Sequence, residues 1–324
     1  MEHKIGLEEH FAIPETIGDS LGYFPGGAND LKTKQLLDLF DMRIQEMDTY
    51  GMDMMILSLN SPAIQAIYDK QEAARICRIA NEALADAIQK YPDRFRGFAA
   101  LPLQDPDLAC EELHYCIEEL GFVGVLANGY SQIDTPDNYK YLDEPMYRQF
   151  WAEMSKLDCP FYLHPRDPMP ENNHVLDGHY WIHGAPWSFG VETGSHAMRL
   201  MCSGLFDEYP NLRILLGHLG EAIPFLIWRA EHVLQRRRRG IPTQRPLTDY
   251  FQDNFWVTTS GQFYLPAMLC AMASVGTDHI MFATDYPFEK VCDACEWFDA
   301  LQISPADKRK IGREAAIEFF KLDL

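Results

Sequence analysis

Eight short apolar segments recur along the chain, and stretches with helical periodicity separate most of them. The segments have the length and the continuous hydrophobicity of strands that are buried on both faces. They lie at 4–8, 53–58, 95–101, 121–127, 160–164, 213–218, 254–259 and 279–285. Amphipathic stretches that predict helices lie at 71–90, 106–119, 144–157, 190–206 and 221–239, and two more helices are predicted at 290–301 and 305–321.

This alternation favours a closed barrel. Strand–helix units whose strands are buried on both faces form a parallel sheet, and eight units in 324 residues match a (β/α)8 barrel. A doubly wound open sheet is the alternative, but it normally has a glycine-rich loop after its first strand, and residues 7–14 contain no glycine. We therefore predict an α/β fold, a (β/α)8 TIM barrel in a single domain over 1–324, with extra C-terminal helices.

Composition restricts the partners. The formal net charge is −20, so nucleic acid and anionic membrane surfaces would be repelled, and hydrophobic residues at 47% exclude wholesale disorder. The basic cluster Arg236 to Arg239 precedes Gly240 at the end of a predicted helix, which is typical of a solvated helix end. No signal peptide or membrane-spanning stretch is recognisable, so the sequence predicts a cytoplasmic protein.

Eight cysteines in 324 residues are too sparse for a disulfide scaffold, and we expect reduced thiols. Cys292 and Cys295 form one CxxC motif. Such a motif occurs in redox centres, and it can supply half of the ligands of a zinc site. The chain has no second CxxC, and this one lies within a predicted helix. We therefore interpret the pair as structural.

Two connections are unusually long for a barrel. Residues 11–35 follow the first predicted strand, and residues 165–188, rich in Pro, Trp and His, follow the fifth. Barrel chemistry takes place at the carboxyl ends of the strands, where long loops commonly cover the site. We expect both segments to act as lids.

Four acidic and histidine residues come at the ends of predicted strands. Glu8 and His10 end the first strand and point the same way while Glu9 points oppositely, His164 ends the fifth, and Asp285 ends the eighth. Each has an ordinary explanation, a hydrogen-bonded histidine or a turn cap, but four at one rim of a barrel predict a metal site. Two imidazoles and two carboxylates suit one Zn²⁺ or Mn²⁺ ion.

His218 ends the sixth predicted strand, and Glu221 lies three residues further on. A histidine oriented by a carboxylate is a good general acid or base. The alternatives are a fifth metal ligand or a core histidine bonded to a backbone carbonyl. Arg229 follows Trp228 and either covers apolar surface or braces an anionic group; the sequence alone does not choose.

Several longer motifs resemble one family in order and spacing, across nearly the whole chain. The chain is similar to the hydroxybenzoate decarboxylases of the amidohydrolase superfamily, most closely to those acting on γ-resorcylate (2,6-dihydroxybenzoate) and next to those acting on 2,3-dihydroxybenzoate. The resemblance implies a (β/α)8 barrel, a homotetramer and one divalent metal ion per subunit, with no organic cofactor. The motifs are LEEHFAIPET, ILSLNSPA, FAALPLQDP, FYLHPRDP, GLFDEYPNLRILLGHLGE, TTSG and TDYPFE.

The same resemblance implies roles for individual residues. The family's metal ligands fall on Glu8, His10, His164 and Asp285, and its catalytic histidine and glutamate on His218 and Glu221. Three further positions match residues near the substrate or the subunit contact. Tyr23 also falls at a substrate-binding position, and it stands where the γ-resorcylate enzymes carry phenylalanine, a departure that bears on the substituents of the ring. Those three are Ser20, Asn128 and Arg229.

The metal ligands also distinguish this chain from two-metal hydrolases of the superfamily. Those enzymes carry His-x-His on the first strand and a bridging lysine on the fourth, whereas this chain has Glu-x-His and no lysine in residues 121–129. A mononuclear site has fewer means of making a hydroxide nucleophile, which favours non-hydrolytic chemistry.

The sequence therefore predicts reversible, non-oxidative decarboxylation of an ortho-hydroxybenzoate, with 2,6-dihydroxybenzoate the expected substrate. In this hypothesis Asp285 takes the phenol proton and passes it to the ring carbon, while His218 with Glu221 holds the second oxygen or relays the proton. Direct protonation by His218 is the competing mechanism. The remaining alternatives are 2,3-dihydroxybenzoate or salicylate decarboxylation, a metal-dependent hydrolase of a lactone or amide, and a non-catalytic binding barrel.

Overall fold

The computed structural model describes residues 3–23 and 26–324, and ten strands lie in this part of the chain. Eight of them form one parallel sheet in the order β1-β2-β3-β4-β7-β8-β9-β10, and β5 and β6 form a separate antiparallel hairpin. The strands are β1 Lys4–Phe11, β2 Met52–Leu59, β3 Phe95–Ala99, β4 Gly124–Asn128, β5 Ser131–Ile133, β6 Thr135–Lys140, β7 Phe161–His164, β8 Ile214–Leu216, β9 Phe255–Thr258 and β10 Ile280–Met281.

The first and last strands of the sheet meet and close it. Leu7 forms a parallel bridge with Ala283, and the Leu7 amide donates to the carbonyl of Phe282 at 3.2 Å. Three residues further along, the His10 amide donates to the carbonyl of Tyr286 at 2.7 Å. The predicted (β/α)8 barrel is confirmed, and the hairpin inserted after β4 is an addition that the strand pattern did not predict.

Helices cover the outside of the barrel, and every helix predicted above is present with shifted ends. The α-helices are α1 Ile17–Ser20, α2 Leu31–Leu37, α3 Asp41–Tyr50, α4 Lys70–Lys90, α5 Pro106–His114, α6 Arg148–Lys156, α7 Ser188–Cys202, α8 Leu205–Glu208, α9 Ile223–Arg236, α10 Leu247–Asn254, α11 Leu265–Val275, α12 Val291–Ala300, α13 Pro305–Arg309 and α14 Ala315–Phe320.

Three predicted helices are interrupted, one of them by a π-helical turn at 115–119 within the stretch 106–119. The stretch 190–206 is broken between α7 and α8 at Gly204, whose φ of 77° is a left-handed conformation that ends a helix. The stretch 305–321 contains a wider π-helical turn at 310–314. There the Ile311 carbonyl accepts a hydrogen bond from the Phe282 amide at 2.9 Å, which ties the helix to the last strand.

The eighth predicted strand is shorter than expected. The sequence pattern predicts 279–285, but β10 ends at Met281, and Asp285 has a φ of 69°. The amides of Thr284 and Tyr286 donate to the side chain of Glu9 rather than to a neighbouring strand. Strand pairing therefore stops before Asp285, and a side chain holds the segment that carries it.

The barrel interior is filled at one end. Ile5, Leu7, Ile56, Leu126 and Leu215 are fully or almost fully buried inside it, in one cluster with Phe319 and Phe320 of α14. The ring of Phe320 lies 5.6 Å from that of Phe98 on β3. Since the C-terminal helix packs into this cluster, the polar residues are left at the opposite, carboxyl end of the strands.

The CxxC motif lies in α12, as predicted. Cys292 is half-buried, and Cys295 is buried, which raises the pKa of its thiol to about 12. Neither belongs to the group of possible metal ligands found in the described residues. The structural interpretation agrees with this placement.

A search of the described residues finds no helix that combines the length and the apolar composition needed to cross a membrane.

Candidate metal centre

The four predicted ligands come together at the carboxyl end of the barrel. One donor atom from each of Glu8, His10, His164 and Asp285 lies within 4.8 Å of all the others. Nε2 of His10 is 3.4 Å from Oδ1 of Asp285, and Nε2 of His164 is 3.3 Å from Oε1 of Glu8. The structure therefore brings the four predicted residues together.

The unpaired atoms of this group fit a cation. Oε1 of Glu8 and Nε2 of His10 are buried and have no hydrogen-bond partner. A buried polar atom without a partner destabilises the fold by about 1–3 kcal/mol, so such atoms normally bond to a protein group, a water molecule or an ion. Two imidazole nitrogens and two carboxylates facing one point are a donor set for a single divalent ion such as Zn²⁺ or Mn²⁺.

A bulge in β1 places Glu8. The pairing of β1 with β2 shifts register between Gly6 and Glu9, and Glu8 adopts a φ of 62°. Gly217 leaves the space that its carboxylate occupies, because a Cβ there would lie 2.7 Å from Oε2 of Glu8. Regular strand alternation predicted that Glu8 and His10 share a site, but the backbone that achieves this is irregular.

Neighbouring polar groups orient the two histidine ligands. Nδ1 of His10 is 3.1 Å from Oγ of Ser58, and Nδ1 of His164 is 2.7 Å from Oδ1 of Asn128. Because an amide oxygen only accepts, Nδ1 of His164 carries the proton and Nε2 presents its lone pair to the site. Asn128 thus positions a ligand.

The second oxygen of Glu8 is held by three hydroxyl groups. Tyr162 and Ser260 donate short hydrogen bonds to Oε2, and Oγ1 of Thr258 lies 3.2 Å from it. Burial acts to raise the pKa of Glu8, but the charges of the surrounding histidines, His218 foremost, outweigh it and hold the pKa below its ordinary value. The carboxylate is therefore kept ionised.

Sequence reasoning assigned no role to these hydroxyl groups, although a signal was present. Tyr162 is two residues before His164, and Thr258 is two residues before Ser260. On a strand, residues two apart share a face. Tyr162 therefore points into the barrel on the same side as a predicted metal ligand.

His218 and Glu221 form a pair beside the four ligands. Nδ1 of His218 is 2.6 Å from Oε1 of Glu221, and its Nε2 is 3.8 Å from both Oδ2 of Asp285 and Oε1 of Glu8. Burial opposes a charge on His218, but Glu221, Glu8 and Asp285 together raise its pKa well above the ordinary value. A protonated Nε2 then faces the cluster.

The structure corrects the predicted start of the helix that carries Glu221, and it bears on the alternative roles given for His218. Glu221 lies in a turn with a φ of 52°, two residues before α9 begins at Ile223, and not in the first helical turn. His218 stands outside the group of four, and a carboxylate rather than a backbone carbonyl holds its Nδ1. The geometry agrees with an acid or base oriented by Glu221.

The other residues predicted near the substrate differ in their burial and in their distance along the chain from the four predicted ligands. Ser20 is buried, and its Oγ accepts from Nδ2 of Asn60 at 2.8 Å. Asn128 also donates from Nδ2 to the Asn60 carbonyl at 3.1 Å, so its amide is engaged at both ends. Arg229 is exposed on α9, and the side chain of Tyr23 lies outside the described part of the chain. Their contacts with substrate stay predictions.

An apolar cavity opens beside the His218–Glu221 pair. Its volume is about 970 Å³, and α7 and α9 form its walls with Phe189, Met198 and Ile227. Trp187 and Leu226, at its edge, are both more than half exposed. The His218–Glu221 pair thus lies at the end of a broad hydrophobic surface.

Comparisons with known proteins identify the class. The profile of the family described as Amidohydrolase matches residues 21–322. The γ-resorcylate decarboxylase of Rhodococcus jostii is 52% identical over 332 residues, with 100% of both chains covered. The chain therefore belongs to the amidohydrolase family.

Two solved structures place the chain within that family. A 2,6-dihydroxybenzoate decarboxylase complexed with 2,6-dihydroxybenzoate matches with a TM-score of 0.97 at 50% identity, covering 99% of this chain and 100% of that one. A dihydroxybenzoic acid decarboxylase from Polaromonas sp. JS666, with bound manganese and the inhibitor 2-nitroresorcinol, has a TM-score of 0.97 at 48% identity, covering 100% and 98%. These relatives are carboxy-lyases, and the resemblance seen in the motifs is confirmed.

Proposed function

We propose that this protein is a metal-dependent carboxy-lyase that converts 2,6-dihydroxybenzoate reversibly to resorcinol and CO₂. The observation that carries the proposal is the four-ligand cluster with Asp285 facing the His218–Glu221 pair at 3.8 Å. The similarity to decarboxylases at about half identity over the whole chain supports the same reaction. The ring substitution and the identity of the metal are part of the proposal.

The reaction needs a proton at the ring carbon that carries the carboxylate. When bound, the divalent ion supplies charge stabilisation for the anionic substrate and fixes its position. Asp285 takes the proton of the ortho hydroxyl and delivers it to that carbon, which gives a dienone. The carbon–carbon bond then breaks, its electron pair restores the aromatic ring as a phenolate, and CO₂ leaves. The phenolate takes one proton from solvent to give resorcinol.

His218 completes the site on the other side of the ring. Its protonated Nε2 donates a hydrogen bond to the second ortho oxygen, while Glu221 holds the imidazole through Nδ1. This contact orients the ring and stabilises negative charge that develops on its oxygens. A second ortho hydroxyl also donates electron density to the carbon being protonated.

A panel of aromatic acids tests the reaction. We expect 2,6-dihydroxybenzoate to release CO₂ fastest, with 2,3-dihydroxybenzoate and salicylate slower because they lack the second ortho oxygen. Benzoate and 4-hydroxybenzoate have no ortho hydroxyl group, and therefore no hydroxyl proton for Asp285 to take, so they should not react. With excess bicarbonate, the protein should carboxylate resorcinol next to a hydroxyl. Turnover of 4-hydroxybenzoate at the rate of the ortho acids would contradict the mechanism.

Two variants test the residues on metal-loaded protein. Asp285→Asn and His218→Asn should each lower kcat by roughly 100-fold or more, the range that a positioned proton-transfer group supplies. Metal content is measured in parallel, since Asp285 is also a ligand. Near-normal turnover by either variant with metal bound would remove the assigned role.

We further propose Mn²⁺ or Zn²⁺ as the ion and no organic cofactor. Manganese is bound in the Polaromonas relative, and the nitrogen and oxygen donors here suit both ions. Elemental analysis by mass spectrometry of protein purified without added metal distinguishes them. A stoichiometric organic chromophore in the same preparation would contradict the cofactor part.

We also propose a homotetramer in the cytoplasm. Exposed aromatic residues, Phe225 at 80% and Trp228 at 64%, lie on α9 near the exposed Arg229, an apolar surface of the kind that interfaces cover. The eight cysteines are free thiols, as a reducing compartment maintains. Light scattering should give a mass of about 149 kDa, four times 37.2 kDa, and cell fractionation tests the location.

A further inference from the structure

The second glutamate of the LEEH motif is buried behind the metal ligands. Oε1 of Glu9 accepts from the Thr284 amide at 2.9 Å. Its Oε2 accepts a short hydrogen bond from the Thr284 hydroxyl and one from the Tyr286 amide at 3.3 Å. These donors come from the residues on either side of Asp285. The mechanism above gives Glu9 no part.

These contacts hold a segment that strand pairing does not hold. β10 ends at Met281, and Asp285 has a left-handed φ of 69°, which costs energy for a residue with a Cβ. The backbone amides of both residues next to Asp285 are tied to one carboxylate. Glu9 therefore fixes the backbone from which the Asp285 side chain reaches the metal site.

A buried arginine, Arg43, holds the backbone of His10, another predicted metal ligand. Arg43 of α3 donates from Nη2 to the carbonyl of His10 at 2.5 Å, and its guanidinium lies 4.5 Å from the ring centre of Tyr286. Its side chain is fully buried, and its charge acts on Glu9. Arg43 thus contacts the backbone of His10 and packs against Tyr286, which follows Asp285 in the chain.

The packing leaves room for this carboxylate in one conformation. A Cβ at Gly6 would lie 2.5 Å from Oε1 of Glu9, so the glycine leaves open the space that the folded-back carboxylate occupies. Thr284 and Tyr286 hold the carboxylate in that space. Its position is built into the fold.

We propose that Glu9, supported by Arg43, is a positioning residue for the metal centre. It holds Asp285, and with Arg43 it holds the strand end that carries His10, in the geometry that binds the ion. Glu9 does not touch the ion or the substrate. Residues in this relation to a metal site affect its affinity by about 10- to 100-fold.

The variant Glu9→Gln tests the proposal on the full-length protein. Glutamine places an NH₂ group opposite one of the donors, so one bond to the segment 284–286 is lost. We expect the Kd for Mn²⁺, measured by loss of the free-ion EPR signal on titrating metal-free protein, to rise about 10- to 100-fold. At saturating Mn²⁺, kcat should stay roughly tenfold below wild type because Asp285 is misplaced, with KM changed less than about threefold.

Glu112→Gln is the matched control. Glu112 is also buried and accepts from Nδ2 of Asn81 at 2.8 Å and from the Arg78 guanidinium, far from the ligand group in sequence. It should lower the melting temperature of the metal-free protein but leave the Kd for Mn²⁺ within about twofold of wild type. An equal rise of Kd in both variants would mean that affinity falls with general instability, and it would overturn the proposal.

A second variant covers the case in which Glu9→Gln does not fold. Thr284→Val keeps the shape of the side chain and removes only the hydroxyl that donates to Oε2 of Glu9. It should raise the Kd for Mn²⁺ by several-fold. A Kd unchanged from wild type in Thr284→Val, or in a folded Glu9→Gln, would show that Glu9 serves the fold alone. Metal affinity is measured without substrate, so this outcome is independent of which acid the enzyme decarboxylates.

Discussion

At the scale of single residues, the predicted metal site depends on the side chains that hold its four ligands in place. His164 can bind a metal through Nε2 because Asn128 accepts the proton on Nδ1, and Oγ of Ser58 lies 3.1 Å from Nδ1 of His10. Glu8 keeps one oxygen free because three hydroxyl groups occupy the other. Protonation state and orientation are thus set by neighbours rather than by the ligands themselves.

Replacement of Asn128 tests this dependence. Asn128→Ala removes the acceptor for Nδ1 of His164 and frees the ring to rotate, so we expect metal affinity to fall about 10- to 100-fold. Isothermal titration of the metal-free protein with Mn²⁺ measures the change.

Asn254→Ala supplies the comparison, because Asn254 is equally buried and its Nδ2 donates to the carbonyls of Pro210 and Leu212 at 2.9 Å. Each alanine leaves buried backbone or side-chain groups unpaired at a cost of about 1–3 kcal/mol. Only the Asn128 variant should lose metal affinity. Parallel losses in both variants would attribute the effect to stability.

At the scale of elements, α7 packs closely against the turn that carries Glu221, the partner of His218. Gly190 and Gly194 lie four residues apart on this helix and face the turn that carries Glu221. A Cβ at Gly190 would be 3.0 Å from Oε2 of Glu221, and one at Gly194 would be 3.0 Å from its carbonyl oxygen. The helix can approach the turn this closely because both positions lack a side chain.

Gly190→Ala should therefore displace the Glu221 carboxylate and weaken its hold on His218. We expect kcat to fall by roughly tenfold, since small misplacements of catalytic groups have effects of this order. Alanine favours the helix over glycine by about 1 kcal/mol, so the melting temperature should not fall. Steady-state kinetics and calorimetry on the same preparation separate the two effects.

Ser195→Ala, an exposed substitution on the same helix, is the control and should leave kcat unchanged. Full activity in Gly190→Ala would show that Glu221 moves without consequence or that the helix shifts to accommodate the methyl group.

At the scale of the whole molecule, the metal centre connects parts of the barrel that are distant in sequence. Glu8 and His10 come from β1, His164 from β7, and Asp285 from the segment after β10. β1 and β10 are also the strands whose junction closes the barrel, through the bridge between Leu7 and Ala283. A bound ion therefore cross-links the barrel at its closure.

Removal of the metal should lower thermal stability as well as abolish activity. An ion present at a thousand times its Kd stabilises the folded state by about 4 kcal/mol, and that contribution disappears on chelation. Scanning calorimetry before and after treatment with a chelator, followed by dialysis and refilling with Mn²⁺ or Zn²⁺, measures the loss and its recovery. Chelated protein that keeps full turnover would rule out a catalytic metal.

Much of this description was predictable from the sequence. Eight β-prone runs between helical stretches predict the barrel, because hydrophobic periodicity records which residues are buried in each element. Once the strands are assigned, Glu8, His10, His164 and Asp285 converge by topology alone, since the carboxyl ends of parallel strands share one rim. The opposite orientation of Glu9 followed from the same periodicity, although its partners did not.

Only the tertiary structure decided how these residues are held. The bulge at Glu8, the early end of β10 and the turn at Glu221 all depend on hydrogen bonds between residues far apart in sequence, such as that from the Thr284 amide to Glu9. Local periodicity contains no information on such bonds, because it reports burial and not the partner. The sequence by itself thus determined the barrel and the convergence of the four predicted ligands, whereas long-range hydrogen bonding between packed elements determined the geometry in which they meet.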